Sequence, residues 1–102
     1  MFMTVSRFAR KNAEPCTQTD IDPIIPAMPS RVAYKATFDG LQTAGDVIYR
    51  SGSINGANEI ETVTLYRTQQ DYDTFKIAPE LLAFKNELLI IYNLVAITEE
   101  VI

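Results

Sequence analysis

Residues 87–97, ELLIIYNLVAI, constrain the fold more than any other part of this chain. Apart from Glu87 and Asn93, every position is apolar or aromatic. A membrane-spanning helix needs roughly 20 such residues, and this run has about half that. Asn93 interrupts the run and Glu99 and Glu100 follow it closely. The stretch therefore reads as a buried segment of a soluble fold, with no membrane partner. Ile90, Ile91, Val95 and Ile97 are β-branched and Tyr92 is aromatic, which predicts a strand over 89–98 in preference to a longer helix. One face would carry Ile90, Tyr92, Leu94 and Ala96, the other Ile91, Asn93, Val95 and Ile97. Both faces are largely apolar, so both must be covered.

The rest of the chain supplies the partners for that strand. Residues 2–9 (FMTVSRFA) suit a strand with Phe2, Thr4, Ser6 and Phe8 on one face. Residues 10–30 read as a connector: Pro23, Pro26 and Pro29 argue against a regular helix through all three, although one turn could start at Asp22-Pro23. The spacing of those prolines also resembles a polyproline-type ligand, but the flanking basic residue and proline density of such motifs are missing. Over 31–44 the i, i+4, i+7 placement of Tyr34, Phe38 and Leu41 predicts a helix, with Ser30 as its cap and Gly45 at its end. Residues 46–54 and 59–67 predict a hairpin around the Asn55-Gly56 pair. Thr68 with Asp71 resembles a capping box, and Pro79 divides the helical stretch that follows.

The resulting order is strand, helix, strand, strand, helix, strand. This predicts an α+β, ferredoxin-like βαββαβ fold with a four-stranded antiparallel sheet, in one domain spanning 1–102. Two helices cover one sheet face and nothing in the chain remains for the other. An apolar face left to water would be a large exposed patch. A second copy is the economical cover, so a homodimer with sheets face to face is expected. The alternative fold keeps an antiparallel sheet but takes 31–38 as a further strand, with one long C-terminal helix.

Three stretches carry a family resemblance: TVSRFARK at 4–11, FDGLQTAGDVIYRSGS at 38–53 and ETVTLYRTQQDYDTFKIAPELLAF at 61–84. Together they resemble the dimeric α/β-barrel group, in particular the antibiotic-biosynthesis-monooxygenase-like small proteins. The group often has tryptophan near the end of its third strand, where this chain has Tyr66. The proline-rich connector departs from the group's usual first helix. The resemblance implies a dimeric barrel and a range of activities: cofactor-independent oxygenation of aromatic polyketides and quinols, haem degradation, isomerisation, or none assigned. Such a fold leaves the function to be argued from the site.

Composition removes several chemistries. The net charge is −4 and no basic patch is longer than Arg7, Arg10 and Lys11, which argues against nucleic acid. The chain has no histidine, so Ser-His and Cys-His activation, imidazole haem ligation and the common zinc sites are out of reach. The haem-degrading branch of the group typically uses histidine and tryptophan, and this chain has neither. Cys16 is the lone cysteine, which excludes an internal disulfide. No signal-peptide core is present at the N-terminus, so a cytoplasmic protein is expected. Asp20 with Asp22, and Asp71 with Asp73, lack calcium-loop spacing and read as surface or helix-start acids. No metal and no cofactor is expected.

What remains is a pocket between sheet and helices, or inside a barrel, for a small apolar or aromatic molecule. Tyr49, Tyr66 and Tyr92 and the arginines Arg7, Arg50 and Arg67 fall on predicted strands. The tyrosines with Arg7 and Arg67 are the candidate ligand-binding residues, since phenols and guanidinium groups orient aromatic or carboxylate ligands. The competing reading is a filled barrel serving as a structural or protein-interaction module. There the tyrosines pack the core and the arginines pair with Glu59, Glu61 or Asp46. Whether the chain is an enzyme stays open at this point. Any activity would be monooxygenase- or isomerase-like and free of histidine and haem.

Overall fold

The structure is a computed structural model that describes all 102 residues apart from the side chain of Asp20. The element order is β1 (Phe2–Arg10), α1 (Gln18–Ile24), α2 (Arg31–Ala44), β2 (Val47–Ile54), β3 (Ile60–Tyr66), α3 (Gln69–Phe75), α4 (Pro79–Ile91) and β4 (Tyr92–Val101). The strands form one antiparallel sheet in the order β2-β3-β1-β4, the ferredoxin-like arrangement with each crossover built from two helices. Helix α2 packs on β2 and α4, α3 on β3, and α4 on β4. Among the described residues no helix is long and apolar enough to cross a membrane.

Local chemistry explains most boundaries. Gly45 ends α2 with φ 83°, a left-handed conformation that favours glycine, and its N–H returns to the last turn. Thr68 caps α3 by accepting the Asp71 N–H at 3.2 Å, and its hydroxyl donates to the Asp71 carboxylate at 2.8 Å. Pro79 occupies the first turn of α4, where its missing N–H costs nothing. The β2–β3 hairpin turns where expected, by a three-residue loop. The Asn58 N–H donates to the Asn55 carbonyl at 3.1 Å and the Asn55 N–H to the Glu59 carbonyl at 3.0 Å. The positive φ of 60° sits on Asn58 and not on Gly56, which fits a type I turn closed by a left-handed residue.

Three sequence expectations are corrected. First, α1 forms within the connector and includes Pro23. The bonds Ile21 N–H to Thr17 O and Ile25 N–H to Ile21 O, both 3.0 Å, bracket the residue that has no N–H to give. The helix is short, and it brings Ile21, Ile24 and Ile25 against the core beside buried Met28. Second, Ser30 does not cap α2 with its own side chain. Its N–H and hydroxyl both donate to the Glu87 carboxylate of α4, with the N–H bond at 2.9 Å. A carboxylate at a helix start is favourable, so α4 supplies the anionic group for the start of α2. Third, α4 runs to Ile91, so Leu89, Ile90 and Ile91 are helical and the strand begins at Tyr92.

The faces of that last strand also differ from strict alternation. Arg7 pairs with Ala96 and Phe8 with Leu94, which leaves Val95 as a bulge. Tyr92, Leu94, Ile97 and Glu99 therefore lie on the helix side, opposite Arg10, Phe8, Ser6 and Thr4. Ala96 and Thr98 lie on the open side. A second bulge falls at Ile48 in β2, between Val47 opposite Tyr66 and Tyr49 opposite Leu65. The core lies on the helix side: Phe2, Tyr34, Phe38, Val47, Tyr66, Tyr72, Phe75, Phe84 and Tyr92 are all buried.

Candidate functional site

The helix-side core is not filled completely. A cavity of about 170 Å³ lies between the sheet and helices α2, α3 and α4. Its floor is hydroxylated where a sheet floor is usually apolar. Thr4 pairs with Thr64 and Ser6 with Thr62 across β1 and β3, and all four side chains line the space. Phe2 and Phe8 lie on the same face of β1 at either side of this hydroxyl patch. The roof is aromatic: the Tyr34 and Phe84 rings stack at 4.3 Å between centroids, and Phe38 meets Phe75 edge-on at 5.5 Å. A few polar groups set in apolar walls is the usual make-up of a small-molecule site.

The tyrosines around this space are neutral acids. Burial, reinforced by the neighbouring Tyr34 and Tyr72 hydroxyls, pushes the Tyr66 phenol well above its ordinary value. Burial also raises Tyr72, whose hydroxyl donates to the Glu99 carboxylate at 2.8 Å, a bond that only the protonated phenol can make. Burial raises Tyr34 against the opposing pull of Arg50 and Arg31. None of the three is a proton acceptor at neutral pH. The sign of the linkage follows: unfolded tyrosines ionise at 10.0 while the folded ones stay protonated. The stabilisation is fully present below that pH and is lost as pH rises through and above it. Urea midpoints followed by circular dichroism are expected to fall once the pH passes 10.0, the ordinary phenol value. A midpoint that rises there would contradict the assignment.

The five sequence-derived candidates do not converge. Tyr66 lines the cavity. Tyr92 is 1% exposed and packed in the core away from the cavity lining. Tyr49 and Arg7 lie on the open sheet face, and Tyr49 is 54% exposed. Arg7 pairs with Glu59 at 3.1 Å; the Asn55 amide and Arg7 together hold the Glu59 carboxyl below its usual range. Arg67 is at the surface, bridging Asp46 at 2.9 Å and Asp71 at 3.3 Å. Thr68 and Arg67 hold Asp71 below its usual range, and Asp73 pairs with Lys76 at 3.1 Å. Asp22 accepts a hydrogen bond from Gln18, while the side chain of Asp20 lies outside the described residues. Cys16 is buried, 1% exposed.

The arginine that does reach the cavity is Arg50, which lies on the helix side opposite Thr64. Its guanidinium lies over the Phe38 ring at 4.4 Å and the Tyr34 ring at 5.3 Å. The hydroxyl patch was legible as a row: a strand face reading Phe, Thr, Ser, Phe places polar groups where a core should be apolar.

The open face of the sheet is the other exposed feature. Met3 and Val5 of β1 and Val63 and Leu65 of β3 form its apolar centre, with Arg7, Glu61 and Thr98 at the margins.

No protein-family model matches the sequence, and no curated protein matches it either. Solved structures do match. A candidate antibiotic biosynthesis monooxygenase from Deinococcus radiodurans superposes with a TM-score of 0.67 at 8% identity, over 100% of this chain and 92% of that one. A candidate antibiotic biosynthesis monooxygenase from Nitrosomonas europaea gives 0.56 at 11% identity, over 98% and 94%. MupZ from Pseudomonas fluorescens gives 0.59 at 14% identity, over 96% of this chain and 69% of its own. Sheet order, crossovers and these superpositions agree: the chain has the ferredoxin-like fold of the antibiotic-biosynthesis-monooxygenase-like proteins.

Proposed function

We propose that this protein binds a small apolar or aromatic molecule in the cavity between its sheet and helices, and works as a homodimer paired through the open sheet face. The observation that carries the ligand reading is the cavity itself, with four hydroxyls on its floor and aromatic rings above them. Thr4 and Thr64 are buried and Ser6 and Thr62 half-buried, where a filled interaction module would be expected to set apolar side chains. The neighbours named as candidate monooxygenases support the same use of this fold. With no histidine in the chain and the cavity tyrosines held protonated, proton abstraction by these side chains has no support. The protein's contribution would be to enclose and orient its ligand.

The absence of tryptophan leaves naphthyl fluorescence clear of protein background. Titration with neutral 2-naphthamide is expected to show saturable binding. Thr62→Phe should fill the floor and reduce that binding by about tenfold or more, since a ring placed there occupies the ligand's space. Binding that is untouched by Thr62→Phe would put the ligand elsewhere.

A further inference from the structure

We propose that the ligand of this cavity is a planar aromatic anion of one or two rings, and that Arg50 receives its oxyanion. The proposal rests on the cavity being a ligand site.

Charge is the first observation. The chain as a whole is acidic, at −4. Its cavity is lined by three cationic side chains, Arg50, Lys76 and Lys85, and among the described residues by no carboxylate. Lys76 is already engaged, by Asp73 at 3.1 Å and over the Tyr72 ring at 5.2 Å. Arg50 and Lys85 form no ion pair among the described residues. Arg7 and Arg67 pair with acids on the open face and at the surface, and Arg10 pairs with Glu14, while none of these acids lines the cavity.

Geometry is the second. The guanidinium carbon of Arg50 lies 4.4 Å from the Phe38 ring centre and 5.3 Å from that of Tyr34. A guanidinium carries its N–H donors in a planar fork that matches a carboxylate-like acceptor. The cross-strand register sets Arg50, Thr64, Thr4 and Glu99 in one row over four strands, with the Glu99 carboxylate at the far end from Arg50 and taken by the Tyr72 hydroxyl at 2.8 Å. An oxyanion at the guanidinium would thus have its ring over a hydroxylated floor and under aromatic walls. A partly buried cation without a counterion carries a desolvation penalty, which an anionic ligand offsets. Low-dielectric walls concentrate the field of the unpaired charges on the same space.

Size is the third. A cavity of about 170 Å³ is below the roughly 300 Å³ at the lower end of drug-sized sites. That limits the ligand to one or two rings.

The test compares 2-naphthoate with its neutral isostere 2-naphthamide by naphthyl fluorescence on the whole protein. Naphthoate is expected to bind about tenfold more tightly, as a charge-assisted bond predicts, with a preference that shrinks as salt is added. Arg50→Met should bring the two affinities within about twofold of each other while naphthamide still binds. Arg50→Lys should keep part of the preference, and Lys85→Met should lower it by a smaller factor. Circular dichroism melts confirm that each variant is folded. A third probe, 4-nitrophenol, separates the two sources of oxyanion. A fall in its apparent pKa on binding, read from its own colour, would assign phenolates alongside carboxylates; no fall would assign carboxylates alone. Equal affinity for naphthoate and naphthamide would overturn the anion and leave the cavity as a site. A preference that survives Arg50→Met would overturn the role of Arg50. Binding of neither ligand would overturn the proposal together with the reading on which it rests.

Discussion

Phe38→Ala is expected to remove about 3–5 kcal/mol of folding stability, the usual cost of deleting a buried phenylalanine ring. Phe38 is 2% exposed and touches the Tyr34 and Phe75 rings at centroid distances of 5.9 and 5.5 Å. It is also the platform under the Arg50 guanidinium, at 4.4 Å. A domain of this size has roughly 5–15 kcal/mol in all, so the variant should unfold at much lower urea or fail to fold at ambient temperature. Phe38→Leu keeps most of the volume and should cost about 1 kcal/mol or a little more. Urea unfolding followed by circular dichroism reads both. A Phe38→Ala loss below about 1 kcal/mol would mean that the aromatic cluster does not close around this ring.

Val63→Lys is expected to convert a dimer into a monomer. Val63 sits on the open face beside Leu65 of the same strand and opposite Val5 of β1. If two such faces pack about 10 Å apart, a lysine at the centre must bury an unpaired ammonium. Light scattering on a sizing column should read twice the chain mass for the parent protein and once the chain mass for the variant. Ile97→Lys provides the contrast: Ile97 lines the cavity on the helix side, so its lysine should disturb stability and ligand binding before assembly. A parent protein that is monomeric at all concentrations would refute sheet pairing. A Val63→Lys variant that stays dimeric would move the interface to another surface.

The sequence was most informative where a local interaction fixes the backbone. Gly45, Thr68 with Asp71, Pro79 and the Asn55–Asn58 turn each mark a boundary through a bond or a steric limit within a few residues. It was least informative where tertiary contacts override propensity. Ile90 and Ile91 favour strand by shape, yet α4 needs another turn to carry Leu88 and Ile91 onto the core. Pro23, Pro26 and Pro29 argue against a helix through all three, and α1 contains only Pro23, but it starts at Gln18, ahead of the turn expected at Asp22-Pro23, and carries Ile21 and Ile24 onto the core.

Which way Tyr49 and Arg50 face turns on one geometric feature. Strict alternation along β2 from inward-facing Val47 turns Tyr49 inward and Arg50 outward. The bulge at Ile48 inserts one residue, so Tyr49 faces the open side and Arg50 the cavity. The bulge at Val95 does the same in β4, and exchanges Ala96 for Ile97 on the cavity side. Neither bulge has a glycine or any other mark in the sequence. β3 has no bulge, so its alternation from Ile60 to Tyr66 is regular and sets Tyr66 on the helix side.

The same two irregularities have a consequence beyond parity. β2 and β4 are the outer strands of the sheet, and each of them contains one bulge. An outer strand presents unpaired N–H and C=O groups along its free side, which invites another chain to add itself as the next strand. A bulge bends and twists the strand, so that a straight newcomer meets only part of that row. The fold thus discourages sideways growth into fibres at both margins. In the proposed homodimer, contact between copies would then fall to the broad surface of the sheet.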